Sequence, residues 1–114
     1  IMTEVLEHCY EPIEVIKECY RVITKGGLLI LSTRFVYPVH KGPSDYYRFT
    51  EECLKRLLAD FSSVQIIPLG HRLGVIMDLI SENIPVLRIP ARLTTYISTR
   101  SKKCPCGWLV QAVK

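Results

Sequence analysis

No apolar run in this 114-residue chain reaches the ~18–20 residues that a membrane-spanning helix needs, so no such span is expected. The opening "IMTEVLEH" has neither a basic n-region nor a long apolar stretch, so it does not read as a signal peptide. Histidine is scarce, with three residues in all. The "CPCG" stretch sets two cysteines closer together than the C-x-x-C of zinc and redox sites, and no metal site is expected there. The cysteines Cys9, Cys19, Cys53, Cys104 and Cys106 make an odd set, three of them inside apolar helical patterns. That usage suits reduced thiols in a cytoplasmic protein better than a disulfide framework. Acid is absent from the last part of the chain: residues 83–114 carry Arg88, Arg92, Arg100, Lys102, Lys103 and Lys114 but no Asp or Glu. Such a stretch is either a patch for an anionic partner or a solvated basic surface. No RNA- or DNA-binding motif accompanies it, so a nucleic-acid partner is not expected. Internal repeats and low-complexity segments are also missing.

What is present reads as one α/β domain over 1–114. The hydrophobic fraction is 48% and the charged fraction 23%, an ordinary globular balance. "EPIEVIKECYRVITKGG" predicts a helix with Pro12 in its first turn. Ile13, Ile16, Tyr20 and Ile23 form its buried face, and Gly26-Gly27 its left-handed cap. "LLILST", residues 28–33, predicts a strand covered on both faces. Thr50 is a natural N-cap for "EECLKRLLADF", whose Leu54, Leu57, Leu58 and Phe61 fall at helical spacing. Strands are expected over 63–69, with Pro68 marking an edge or an end, and over 107–113. Residues 71–106 read as an irregular insert containing a short helix in "GVIMDLISEN" and broken by Pro85 and Pro90.

Helix, strand, loop, helix, strand, insert, strand is an α/β order. Ligands of open α/β sheets sit at the carboxyl ends of the strands. "HKGPSDYYRFT", residues 40–50, leaves that end of strand 28–33 with an unusual density of polar and aromatic side chains. "VLEH", Val5 to His8, lies on the same rim by order in the chain. Glu7, His8, His40, Asp45, Tyr46, Tyr47 and Arg48 are thus the candidates to converge.

Those segments resemble a known family. "EVLEHCYEPIEVIKECYRVITKGGLLILSTRF" and "YPVHKGPSDYYRFTEECLKRLL" are similar to the C-terminal half of class I S-adenosylmethionine-dependent methyltransferases. The likeness is to the subgroup with VLEH, a glycine-pair turn and H-x-x-P-x-D-Y-x-R-[FY]-T. The resemblance is strong over 4–70 and weak at "GWLVQAVK". It implies a Rossmann-like sheet in which 28–33, 63–69 and 107–113 correspond to strands 5, 6 and 7, with 7 antiparallel between the others, and 1–6 to the tail of strand 4.

It further implies S-adenosylmethionine as cofactor and methyl transfer to a small-molecule or glycan-like acceptor. His40, Asp45, Tyr47 and Arg48 fall on the substrate-side loop, Glu7 and His8 on the rim, and Glu4 and Val5 on the turn that borders the cofactor. His40 could take a proton from a substrate hydroxyl while Asp45 and Arg48 brace the loop. The other reading is that all four only brace it, and that Glu7 and His8 only start the helix. The family's cofactor loop is a G-x-G after a strand; the glycines here, at 26, 27, 42, 70, 74 and 107, make none. The expectation is a partial domain that does not bind cofactor alone. Either it belongs to an enzyme or it is a non-catalytic binding or assembly module. Its open strand flank predicts a homodimer or a separate chain carrying the other half.

Overall fold

The computed structural model describes residues 1–40, 42–83 and 103–114. Its elements are β1 (Met2–Thr3), a single 3-10 turn (Leu6–His8), α1 (Pro12–Val22), β2 (Leu28–Arg34), α2 (Glu51–Leu57), β3 (Ser63–Leu69), α3 (Arg72–Asn83) and β4 (Gly107–Val113). The strands form one mixed sheet in the order β1-β2-β4-β3. β1 lies parallel to β2, pairing Met2 with Leu31 and Thr3 with Ser32. β4 runs antiparallel to both neighbours, with Leu31 opposite Val110 and Ile66 opposite Val110 on the far side. The chain is α/β, as its pattern predicts. Among the described residues no helix is long and apolar enough to cross a membrane.

The register explains the core. Side chains alternate between sheet faces, so Leu29, Leu31, Trp108, Val110 and Ala112 share one face. Ile16 of α1 and Leu54 of α2 join them in one cluster, with Leu6, Phe49, Leu58 and Phe61. The Trp108 indole N–H donates to the Phe49 carbonyl at 2.8 Å, which satisfies a buried donor and fastens the end of the 35–49 loop onto the sheet. The opposite face is less covered. β2 has Leu28 exposed and Ile30 half-buried there, so the expectation of full cover on both faces is corrected: both α1 and α2 lie against the other side.

Two local expectations are also corrected. α1 stops at Val22 with Ile23 already extended, so Gly26 (φ +79°) is not its cap. Gly26 instead turns the chain into β2, its N–H donating to the Lys114 carbonyl at 2.9 Å. Ile13, placed on the buried face by spacing, is exposed. Pro68 fits as predicted, because β3 is an edge strand. The insert is helical over α3. Its residues 84–102, including Arg88, Arg92, Arg100 and Lys102, lie outside the described residues.

Near β4, Cys106 donates its backbone N–H to the Leu69 carbonyl at 2.9 Å and accepts from the Phe35 N–H at 2.9 Å. None of the five cysteines is in a disulfide.

Candidate functional site

β1 and β2 run parallel, so their carboxyl ends open on one rim. Glu4 leaves β1 with φ +53°, a left-handed conformation that is costly for a residue with a side chain. That turn directs its carboxylate back over β2. Oε1 accepts from the Ser32 hydroxyl at 2.6 Å, and Oε2 pairs with the Arg34 guanidinium. Arg34 in turn lies 4.4 Å from the centroid of the Tyr37 ring, a cation–π contact.

Glu7 is fully buried. Its Oε2 accepts from the Thr33 hydroxyl at 2.8 Å, and Oε1 has no hydrogen-bond partner among the described residues. Its backbone carbonyl accepts the N–H groups of Tyr46 and Tyr47, at 2.9 and 3.3 Å. Glu7 therefore joins the turn, the end of β2 and the returning loop.

The loop itself is held by a charged strut. Asp45, whose side chain is 2% exposed, takes both Nη atoms of Arg48, at 2.5 and 2.6 Å. Arg48 also donates to the carbonyls of Tyr37 (3.3 Å), Pro38 (3.1 Å) and Tyr47 (2.7 Å). A planar five-donor fork suits this task, since it ties both arms of the loop at once. The Arg48 hydrogen bonds, reinforced by the His40 backbone N–H and by the Arg48 charge, hold the Asp45 carboxyl far below the usual carboxylate range against the opposing cost of burial.

His40 and His8 meet above this strut. Their Nε2 atoms are 3.2 Å apart and their rings are edge-to-face, with centroids 4.8 Å apart. His8 Nδ1 lies 2.9 Å from the Ser44 carbonyl oxygen. His40 donates its backbone N–H to Asp45 Oδ2 at 3.1 Å, and its Nδ1 lies 3.2 Å from the same oxygen, off the line of a good hydrogen bond. Tyr47 donates its hydroxyl to the Tyr10 carbonyl at 3.0 Å, and the Tyr10 and Tyr46 rings touch edge-to-face at 5.5 Å. Tyr10, Tyr46 and Tyr47 are all exposed on this rim.

The predicted rim residues thus sit together: Glu7, His8, His40, Asp45, Tyr47 and Arg48. Val5 is the exposed start of the turn, accepting from the His8 N–H at 2.9 Å. Sequence reasoning missed Thr33, Ser32, Arg34 and Tyr37. The two hydroxyls ending an otherwise apolar strand were the available signal. Lys41 lies outside the described residues. Among the described residues no group of three or more His, Cys, Asp or Glu could hold a metal ion. The Glu4 carboxylate is engaged by Ser32 and Arg34.

No curated protein matches the chain. Residues 1–31, from β1 through α1 into β2, match the family model described as a methyltransferase domain. Over that stretch the chain is similar to a class I S-adenosylmethionine-dependent methyltransferase domain, in keeping with its being part of one.

Proposed function

We propose that this chain supplies the acceptor side of an S-adenosylmethionine-dependent methyltransferase site. The acceptor would be a small molecule or a sugar-like compound with a hydroxyl group. The observation that carries this reading is the braced His8–His40 pair at the carboxyl ends of two parallel strands. Strand order supports it: β4 antiparallel between β2 and β3 is the arrangement that the resemblance implies for strands 7, 5 and 6. In this reading Asp45 and Arg48 position the loop and do not touch substrate, because Asp45 is buried and Arg48 spends its hydrogen bonds inside the loop. The cofactor is held by residues other than those described.

Two measurements test this. Titration calorimetry of the chain with S-adenosylmethionine should give no heat of binding, and a micromolar affinity would overturn the division of labour. Amide resonances of Ser44–Arg48 should shift when polyols, monosaccharides or phenols are added at millimolar concentration. Silence across all three classes would leave a non-catalytic assembly module as the better account.

The same reading carries a partner. β2 has seven residues, and only Leu31 and Ser32 have a β1 residue opposite them. Leu28 is exposed, and α1 bears a shallow groove of about 550 Å³ lined by Glu14, Val15, Glu18, Cys19 and Val22. A strand edge that is only partly paired among the described residues favours association. The occupant in this proposal is a second copy of the chain.

A further inference from the structure

We infer that Tyr10 and Tyr46 form a stacking platform for a pyranose ring, which narrows the acceptor to a sugar that meets the rim through its C–H face. Tyr10 is 69% exposed and Tyr46 49%, yet both stand on a fixed frame. The N–H groups of Tyr46 and Tyr47 donate to the Glu7 carbonyl, and the Asp45–Arg48 pair brackets the two tyrosines in the chain. Tyr47 lies at a tilt against the buried Phe49 ring, centroids 5.6 Å apart. Its hydroxyl donates to the Tyr10 carbonyl at 3.0 Å, so the backbone under both platform residues is tied to the body of the domain. The Tyr10 and Tyr46 rings then meet at 78°, centroids 5.5 Å apart, and Tyr46 also adjoins Tyr47, at 6.3 Å. Tyrosine brings a large contact area at a low cost in side-chain freedom. Ordering it before a ligand arrives lowers the entropy that binding must overcome.

The chemistry of this surface selects the ligand. An aromatic ring is electron-rich on its face. A pyranose carries a patch of weakly positive C–H groups on one side, which suits such a face, and hydroxyls around its edge. Tyr10 and Tyr46 offer the aromatic surface with phenolic hydroxyls at its margin, and the His8–His40 pair lies on the same rim. A flat aromatic acceptor would gain most from a cleft that covers both its sides. With Tyr10 more than two-thirds exposed, the platform is an open shelf. An acyclic polyol has the hydroxyls without the apolar side. The word acceptor rests on the function proposed above; the binding of a sugar ring does not.

Saturation-transfer difference spectra test this on the whole chain. The probes are the methyl glycosides of glucose, galactose and mannose, with sorbitol and phenol for comparison, all at millimolar concentration. The expected result is transfer to the ring C–H protons of at least one glycoside and none to sorbitol. Tyr10→Ala and Tyr46→Ala should each weaken binding by roughly 3- to 10-fold, while Tyr10→Phe and Tyr46→Phe keep it. Both side chains are exposed, so an unchanged circular dichroism spectrum is expected of all four. Tyr47→Phe keeps every ring and frees the Tyr10 carbonyl, and should also weaken binding. Transfer to none of the glycosides would overturn the inference, as would equal transfer to sorbitol or full binding by both Ala variants. Transfer to phenol alone would overturn it too and leave the acceptor site standing. Heat of cofactor binding to this chain would overturn the division of labour proposed above and leave the sugar platform standing.

Discussion

Asp45 is the residue on which the rim turns. Its two oxygens receive the Arg48 fork and the His40 N–H, so one carboxylate fixes three positions of the loop. Asp45→Asn keeps the shape and removes the charge. The expected loss of stability is on the order of 1–3 kcal/mol in urea unfolding, since a buried charged pair loses one member. The sign of the pH dependence follows from the depressed carboxyl. An unfolded Asp titrates near ~3.9, so the stabilisation is fully present above that value and is lost as pH falls towards the lower folded value. Stability of the unaltered chain should therefore fall below about pH 4, by up to ~1.4 kcal/mol per pH unit from this group, and the variant should lack that part of the slope. Cys9 gives a second residue-level outcome. Burial first, then the neighbouring Glu7, pushes its thiol up, so less thiolate is present. Alkylation should reach the exposed Cys53 well before Cys9.

At the scale of elements, the same end of the sheet depends on one small residue and one cap. Gly107 begins β4 opposite Arg34, and a Cβ there would come within 2.5 Å of the Thr33 carbonyl oxygen, which is backbone and cannot swing aside. Gly107→Ala should push β4 from β2 where Thr33 holds Glu7, costing about 1–3 kcal/mol of stability and shifting the Tyr46 and Tyr47 amides. α2 begins at Thr50, whose hydroxyl accepts from the Cys53 N–H at 3.2 Å. Thr50→Ala should cost about 1 kcal/mol, read as a lowered thermal midpoint. These elements also show what the sequence makes visible. Thr50 before two glutamates, and leucines at i, i+3 and i+4, announce α2 through local chemistry alone. The strands over 63–69 and 107–113 were bounded correctly because apolar runs end at Gly or at polar residues. The polar density of 40–50 located the loop. The end of α1 was hidden, because Gly26-Gly27 looks like a cap when no partner is in view, yet Gly26 answers to the carbonyl of Lys114, at the far end of the sequence. The Glu7–Thr33 bond was hidden for the same reason: it joins residues 26 apart through the sheet. Nor does any local signal announce the left-handed backbone of Glu4.

For the whole molecule, the decisive asymmetry is cover. α1 and α2 lie against one face of the sheet, where Leu31, Val110 and Ala112 are fully buried. On the opposite face Leu28 is half exposed at 50%, and Val22 at the end of α1 is 60% exposed. Among the described residues only Leu31 and Ser32 of β2 have β1 residues opposite them. Each apolar square ångström removed from water is worth roughly 25 cal/mol, so covering Leu28 and Val22 with a second copy favours association. Paired strands add directional hydrogen bonds, which fix one geometry and not a loose aggregate. Sedimentation should therefore show a dimer at micromolar concentration that dissociates on dilution. Val22→Glu places a charge on the apolar flank near Glu18 and should yield a folded monomer with an unchanged circular dichroism spectrum. Because the rim network of Glu7, His8 and Asp45 makes its contacts within one chain, its histidine spectra should be the same in that monomer. A unaltered chain that sediments as a monomer at every concentration would show that this flank is stable in water, and the proposed second copy would have to be given up.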